Sequence, residues 1–331
     1  MRKVLLATTA LVAVSMTAAN AADISISGNH QTAYYAQDHS TSGNTDGMDV
    51  DGNIKIKATS TTESGLSLTG YTSLGSFNGT EEDSYVQVSG DFGTLMLGGA
   101  DAITDGMDGA ITPLAAPEAY GFASLTAPVL MTGMGARLST HSYFDGDVKA
   151  NYKTPNVSLG SASAQLGITA NPGYDGLATM LLVTAGPISF GYGFDEYTRT
   201  AAGSAPSGGT AQAAGDYTSS MIGLGAKFGD MDIRFADGDA EYKTAAGVST
   251  NKVDRTEYGL IYSGMADSSL YWTVSEEKET QATAETFTST LIGMTYTIAP
   301  GLDLKVENGT EELKSDGSES TYNAIGLNFS W

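Results

Sequence analysis

Two sets of charged residues in this chain could act on ions together. Asp101, Asp105, Asp108 and Glu118 fall on one long connecting stretch, while Lys55, Lys57, Lys149 and Lys153 fall on two segments that alternate between polar and apolar residues. Acids facing bases across a narrow aqueous opening set up a transverse field that orders ions and polar solutes, with no bond made or broken. Covalent chemistry has little to work with here. There is no cysteine, and the histidines are His30, His39 and His141. Asp38, His39 and Ser40 are consecutive, but triad members normally converge from separate elements, and no Gly-x-Ser-x-Gly elbow is present. Nor is there a metal-ligand spacing, a phosphate-binding loop or a dinucleotide fingerprint. The residue types point away from an enzyme.

The elements that would position those charges show period-two alternation almost everywhere, which predicts strands. Ile54, Ile56 and Ala58 oppose Lys55, Lys57 and Thr59, and Val148, Ala150 and Tyr152 oppose Lys149, Asn151 and Lys153. Leu302, Leu304 and Val306 oppose Asp303, Lys305 and Glu307, and the chain ends with Ile325, Leu327, Phe329 and Trp331 alternating with small or polar residues. Strands are predicted near 23–36, 51–62, 66–77, 83–90, 94–101, 147–154, 161–170, 176–185, 187–197, 217–228, 231–240, 253–264, 268–278, 286–298, 302–312 and 321–331. That count is sixteen, and an even number lets the last strand close on the first. Residues 137–144 read as either loop or a further strand. Ala178–Val183 and Leu291–Met294 are apolar on both faces, which leaves their register open.

A soluble sandwich also alternates, so the medium on the apolar face has to come from elsewhere. Tight connections such as Glu63-Ser64-Gly65, Asp91-Phe92-Gly93, Gly229-Asp230 and Ala299-Pro300-Gly301 lie between longer polar ones at Gln37–Val50, Thr198–Asp216 and Ala240–Lys252. Transmembrane barrels have this asymmetry of short turns and long outer loops. The polar face carries charge in mid-strand at Lys55, Lys149, Arg234, Glu257 and Lys305, as a wet lumen requires. Aromatic residues, among them Tyr34, Tyr35, Tyr262, Trp272, Phe329 and Trp331, gather near strand ends, as interfacial girdles do. The prolines avoid strand interiors. The predicted fold is all-β, a 16-stranded antiparallel transmembrane β-barrel.

Met1-Arg2-Lys3, an apolar run from Val4 to Val14 and Ala19-Asn20-Ala21 have the three parts of a secretory leader. This divides the chain into a signal peptide at 1–21 and a barrel at 22–331. The formal net charge is −22, so nucleic acid is not an expected partner. Between the fifth and sixth predicted strands lie roughly 45 residues, far beyond ordinary connections. This third loop carries Ile103, Ile111, Leu114, Tyr120 and Phe122. It is expected to fold onto the inner wall, so that its acids face the lysines; the alternative is a solvated outer loop.

Gly90-Asp91-Phe92-Gly93-Thr94-Leu95-Met96-Leu97-Gly98 resembles the turn and strand that precede the constriction loop of Gram-negative general porins. Asp147 to Pro155 resembles the strand that follows that loop, and Gly326 to Trp331 is similar to the terminal signal read by the barrel-assembly machinery. Porins of alphaproteobacterial type look closest. The resemblance implies an outer-membrane homotrimer set among lipids and lipopolysaccharide. It also implies passive diffusion of small hydrophilic solutes through an eyelet formed by the loop acids and strand lysines named above. The early strands depart from the family pattern: Asn29, Gln31, Tyr85 and Gln87 stand where arginines are usual. With the negative net charge, this thinned basic side suggests a cation preference. Some acidic porins bind calcium, and Asp46, Asp49 and Asp51 would be candidate ligands; a solvated acidic loop is the plainer reading. No other cofactor is implied. A substrate-specific channel and a secreted adhesin are the rival functions.

Overall fold

The computed structural model describes residues 22–39, 45–75, 81–100, 103–104, 148–172, 175–199, 214–280 and 285–331. The predicted leader, loop residues 105–147 and the segment 137–144 lie outside them.

Period-two patterning yields strands along the whole described chain. They are β1 (Asp23–His39), β2 (Thr45–Thr61), β3 (Ser67–Gly75), β4 (Glu81–Gly90), β5 (Gly93–Gly99), β6 (Val148–Lys153), β7 (Val157–Leu159), β8 (Ala162–Asn171) and β9 (Gly176–Ala185). There follow β10 (Ile188–Arg199), β11 (Gly215–Phe228), β12 (Met231–Thr244), β13 (Ser249–Met265), β14 (Ser268–Thr280), β15 (Glu285–Ala299), β16 (Leu302–Leu313) and β17 (Ser318–Ser330). Each pairs antiparallel with its neighbours, and β1 pairs with β17 from Asn29↔Ser330 to His39↔Ser320, which closes the sheet.

Segments β6 and β7 both pair with β8, so they are one barrel strand interrupted at 154–156. The cause is Pro155, which has no N–H for the ladder. Thr154 bridges the gap: its amide donates to the Leu166 carbonyl at 2.9 Å, and its hydroxyl accepts from the Leu166 amide at 3.0 Å. The proline is therefore a break within one barrel strand, whereas the sequence placed it outside strand interiors. Counting β6 and β7 as one gives the predicted sixteen, and the ring closes without residues 137–144. Closure leaves no open edge, as a lipid environment demands.

At the seam, Trp331 and Gly28 exchange backbone hydrogen bonds, N to O at 3.1 and 3.2 Å. A Cβ at Gly28 would fall 2.5 Å from the Trp331 ring, so a glycine there lets the terminal indole lie flat on β1. The indole also stacks on Phe329 with centroids 5.7 Å apart.

The outer face is a band of lipid-compatible side chains. On β11 it runs Ile222, Leu224, Ala226, Phe228; on β14, Leu270, Trp272, Val274; on β17, Ile325, Leu327, Phe329, Trp331. Tyr262, Tyr296, Phe329 and Trp331 ring the short-turn end of the wall. Tyr35, expected in a girdle, instead faces inward beside Ala33 and Tyr322, because only one of two adjacent strand residues can face out. In the segments of open register, Ala178, Met180 and Leu291 face inward, while Leu181 and Ile292 face outward.

Connections predicted to be long are shorter than the sequence suggested. β1 and β2 extend to His39 and back to Thr45, β10 runs to Arg199, and β12 and β13 leave only 245–248 as their turn. Beyond the apolar band the outer face is polar, so alternation of hydropathy stops while strand pairing continues. Cross-strand side chains hold these extensions: Ser220 donates to Asp239 at 2.5 Å, Thr256 to Asp237 at 2.7 Å and Thr198 to Asp216 at 2.9 Å.

Candidate functional site

The inner wall takes every second residue of each strand, and its chemistry is set by which residues those are. Lys55 and Lys57 lie on the inner face of β2, and Lys149 and Lys153 on that of β6, all four where the sequence placed them. Inner-face Tyr71 and Tyr85 stack with centroids 4.8 Å apart. The acidic partners expected for the lysines, Asp101, Asp105, Asp108 and Glu118, lie outside the described residues.

A second set of acids lies on the wall itself; alternation in the sequence marked Glu257 and Glu307 among them, but not Glu277, Glu279, Glu285 or Glu311. Glu277 and Glu279 on β14, Glu285 on β15, and Glu307 and Glu311 on β16 face inward, together with Glu257 on β13. Glu279 stands directly opposite Glu285 in the ladder. Like charges in that position repel, and a cation between them relieves the repulsion. Counted around the ring, β6 is eight strands from β15, so the Lys149 and Lys153 strand faces the acidic arc of β14, β15 and β16 across the lumen. Around the ring, basic and acidic inner-face residues thus fall on opposite sides of the wall.

Arg234 and Arg255 on the inner wall are partly neutralised by same-face neighbours two residues away. Arg234 binds Asp232 through Nε at 3.0 Å and Nη2 at 2.6 Å, and Arg255 pairs with Glu257. Lys305 lies between Asp303 and Glu307 on the same face. Glu307 accepts a 2.5 Å hydrogen bond from the Tyr271 hydroxyl, and Tyr271 lies over Gly293, whose missing side chain makes room for the ring. Tyr322 lies over Gly309 in the same way. These residues form an apolar patch with Ile261, Leu291, Ala33 and Ala324, so the inner wall is not uniformly polar.

A third feature lies where the long connection leaves β5. Ile103 and Thr104 are buried against inner-face residues of β8 to β11. The Ile103 amide donates to Thr169 Oγ1 at 2.8 Å, and the Thr104 hydroxyl donates to Asp195 Oδ1 at 3.1 Å. Asp195 had an alternation signal, lying opposite Phe194 and Glu196, but nothing in the sequence tied it to Thr104.

Of the calcium candidates, Asp46 and Asp51 are set apart. Asp46, Asp49 and Asp51 lie in β2 instead of a loop. Asp46 and Asp51 are an odd number of residues apart and so belong to opposite faces; Asp46 accepts from the outward Tyr34 hydroxyl at 3.2 Å. Among the described residues no group of three His, Cys, Asp or Glu is placed to hold a metal ion.

Comparison with known proteins agrees with this geometry. The family model described as Gram-negative porin matches residues 7–316. Among solved structures, an anion-selective porin from Comamonas acidovorans superposes with a TM-score of 0.71 at 14% identity, covering 94% of this chain and 100% of that one. The trimer form of in-vitro folded OmpT, an outer-membrane protein of Vibrio cholerae, gives 0.67 at 16% identity, covering 94% and 100%. The outer-membrane channel DcaP of Acinetobacter baumannii gives 0.62 at 12% identity, covering 94% and 98%. At these identities the likeness speaks to the fold. No curated protein sequence matches the chain.

Proposed function

Because this chain belongs to the Gram-negative porin family and is an outer-membrane channel, we propose that it is a general diffusion pore for small hydrophilic solutes, with a preference for cations. The observation that carries this reading is the inner wall, where Glu277, Glu279, Glu285, Glu307 and Glu311 form an acidic arc facing Lys149 and Lys153. Acids lining a passage favour cations. On β12 and β13 the arginines lie beside Asp232 and Glu257, which weakens them as anion ligands.

In this reading the long connection after β5 folds inward and its acids join the eyelet; the seating of Ile103 and Thr104 on the inner wall supports that path. The chain acts after removal of residues 1–21, as a homotrimer set in lipopolysaccharide and lipid, and the trimeric form of a structural neighbour supports that assembly. A substrate-specific channel is the second reading, favoured by the Tyr71 and Tyr85 stack, a platform on which a sugar face could rest.

Planar-bilayer recording across a potassium chloride gradient tests the proposal. A reversal potential of cationic sign, with conductance proportional to salt, is expected. A reversal potential of anionic sign overturns the preference, and saturation of the current by one sugar class favours the specific channel.

A further inference from the structure

The basic side chains of the barrel differ in what they already hold. Arg234 and Arg255 pair with Asp232 and Glu257, and Lys227, Lys243, Lys252, Lys278 and Lys314 pair with acids close by. Lys55 and Lys57 on β2 are different. Among the lysines and arginines whose side chains are described, they are the two that make no ion pair and no side-chain hydrogen bond. Both face the lumen, about 7 Å apart along the strand, with Lys57 exposed and Lys55 half-buried. Two uncommitted ammonium groups at that spacing can close on one dianionic group, such as a phosphate.

Their neighbours are hydroxyls. Ser27 and Ser73 stand on either side of Lys55, and Ser25 and Tyr71 on either side of Lys57. The nearest inner-face carboxylates are Asp23, on the diagonal from Lys57, and Asp51, about 13 Å along β2 from Lys55. Neither neutralises a lysine by contact. The next strand supplies a platform for a ring. Tyr71 stacks on Tyr85 with centroids 4.8 Å apart and planes 21° from parallel. That separation equals the spacing of neighbouring strands, so the two rings stand side by side and the second face of Tyr71 turns toward β2. Tyr71 is half-buried, which leaves part of it open to the passage. A flat ring laid there at ordinary contact, about 3.5–4 Å, has the Lys57 ammonium and seryl hydroxyls at its rim.

Resting on the reading of this wall as the lining of a diffusion pore, we propose that Lys55, Lys57 and Tyr71 form a binding station for phosphorylated sugars, with the ring against Tyr71 and the phosphate between the two lysines. The station retains such a solute on its way through. It coexists with a preference for small cations, because a freely passing ion responds to the summed field of the wall and a held solute to its contacts.

Block of the ion current through the full-length protein in planar bilayers tests it, with glucose 6-phosphate, glucose and inorganic phosphate as probes. Glucose 6-phosphate is expected to block saturably, at a lower half-blocking concentration than either of the others. Lys55→Gln and Lys57→Gln should each raise its value about 2- to 5-fold and leave that of glucose where it was. Added potassium chloride should weaken the wild-type block more than that of the double lysine variant. Tyr71→Leu should raise the values of both sugars about 2- to 10-fold. Lys278→Gln removes the same charge from the outer face and should leave the block unaltered. A block by glucose 6-phosphate no stronger than that by inorganic phosphate, equal effects of Lys278→Gln and Lys57→Gln, or a Tyr71→Leu channel blocked as readily as the wild type would each overturn the proposal. If Tyr71→Leu does not assemble, the lysine variants and the three probes decide. A wild-type protein that carries no ion current refutes the pore reading; a conducting pore that glucose 6-phosphate does not block refutes the station alone.

Discussion

Leu224→Lys separates lipid-facing wall from wall that stands above the membrane. Leu224 is on the outer face of β11, with Phe190 and Phe235 as its register partners on either side, and it is 48% exposed. Along the same face, Ile222, Ala226 and Phe228 continue the apolar band, whereas Ser220, Thr218 and Asp216 do not. Leu224 is thus near the middle of the band. Because its exposed half meets lipid and not water, trimming it to alanine forfeits about 1–2 kcal/mol of apolar transfer. A lysine there adds the cost of a charge near the midplane, so that Leu224→Lys costs about 2–4 kcal/mol in all. At about 1.4 kcal/mol per decade, the folded-to-unfolded ratio falls roughly 30- to 1,000-fold. Thr218→Lys, six residues along the same face, is expected to cost no more than about 1 kcal/mol, as substitutions near the interface do. The assay is urea titration of the protein folded into phospholipid vesicles, followed by tryptophan emission, since Trp272 and Trp331 both face outward. Equal costs at 218 and 224 would refute the division of the outer face, and with it the reading of polar strand extensions as solvent-exposed wall.

Removing the acidic arc with Glu277→Gln and Glu279→Gln should move the reversal potential in a salt gradient toward zero, while Lys149→Gln should move it further in the cationic direction; opposite signs would show that the two arcs do not set selectivity. Tyr271→Phe deletes the phenol that donates to buried Glu307, and is expected to cost about 1.5–3 kcal/mol in the same urea titration. Gly293→Ala would put a Cβ 2.1 Å from the Tyr271 ring and should destabilise by about 1–3 kcal/mol through overpacking; combining it with Tyr271→Ala should recover part of that loss, and no recovery would mean that the ring is not what the methyl meets.

The barrel was legible because its physics is local. Each strand must turn apolar residues to lipid and polar residues to the lumen, so Ile54, Lys55, Ile56 and Lys57 reveal their faces from spacing alone. The strand ends were not legible, because past the lipid band both faces are wet. Glu241 and Lys243 look like loop although they continue β12, held by pairing with β11 and β13. Alternation likewise exposed Lys149 and Lys305 as inner-face groups. It could not reveal that β6 faces β15, since position around the ring depends on every strand between them. The contact of Thr104 with Asp195 was invisible for the same reason: the two residues are 91 apart in sequence, and their meeting depends on the lateral path of the chain after β5.

The distribution of charge bears on what the net value of −22 can mean for permeation. Asp216, Asp237, Asp239, Asp254, Glu276 and Glu312 all point outward on strand extensions above the apolar band, where they hydrogen-bond to hydroxyls or pair with lysines such as Lys252, Lys278 and Lys314. Those acids are separated from the lumen by the sheet and are screened by salt over about 8 Å at physiological ionic strength. They make the rim acidic and contribute little to the field along the passage. In the proposed diffusion pore selectivity falls to the inner-face groups, and there the charges are distributed by strand: acids on β14 to β16, lysines on β2 and β6, and Arg234 and Arg255 beside their own carboxylates. A solute crossing such a pore between β6 and β15 would meet a field directed from Lys149 and Lys153 toward the glutamate strands, and that direction would persist even in a variant whose net charge had been brought to zero by substitutions on the rim.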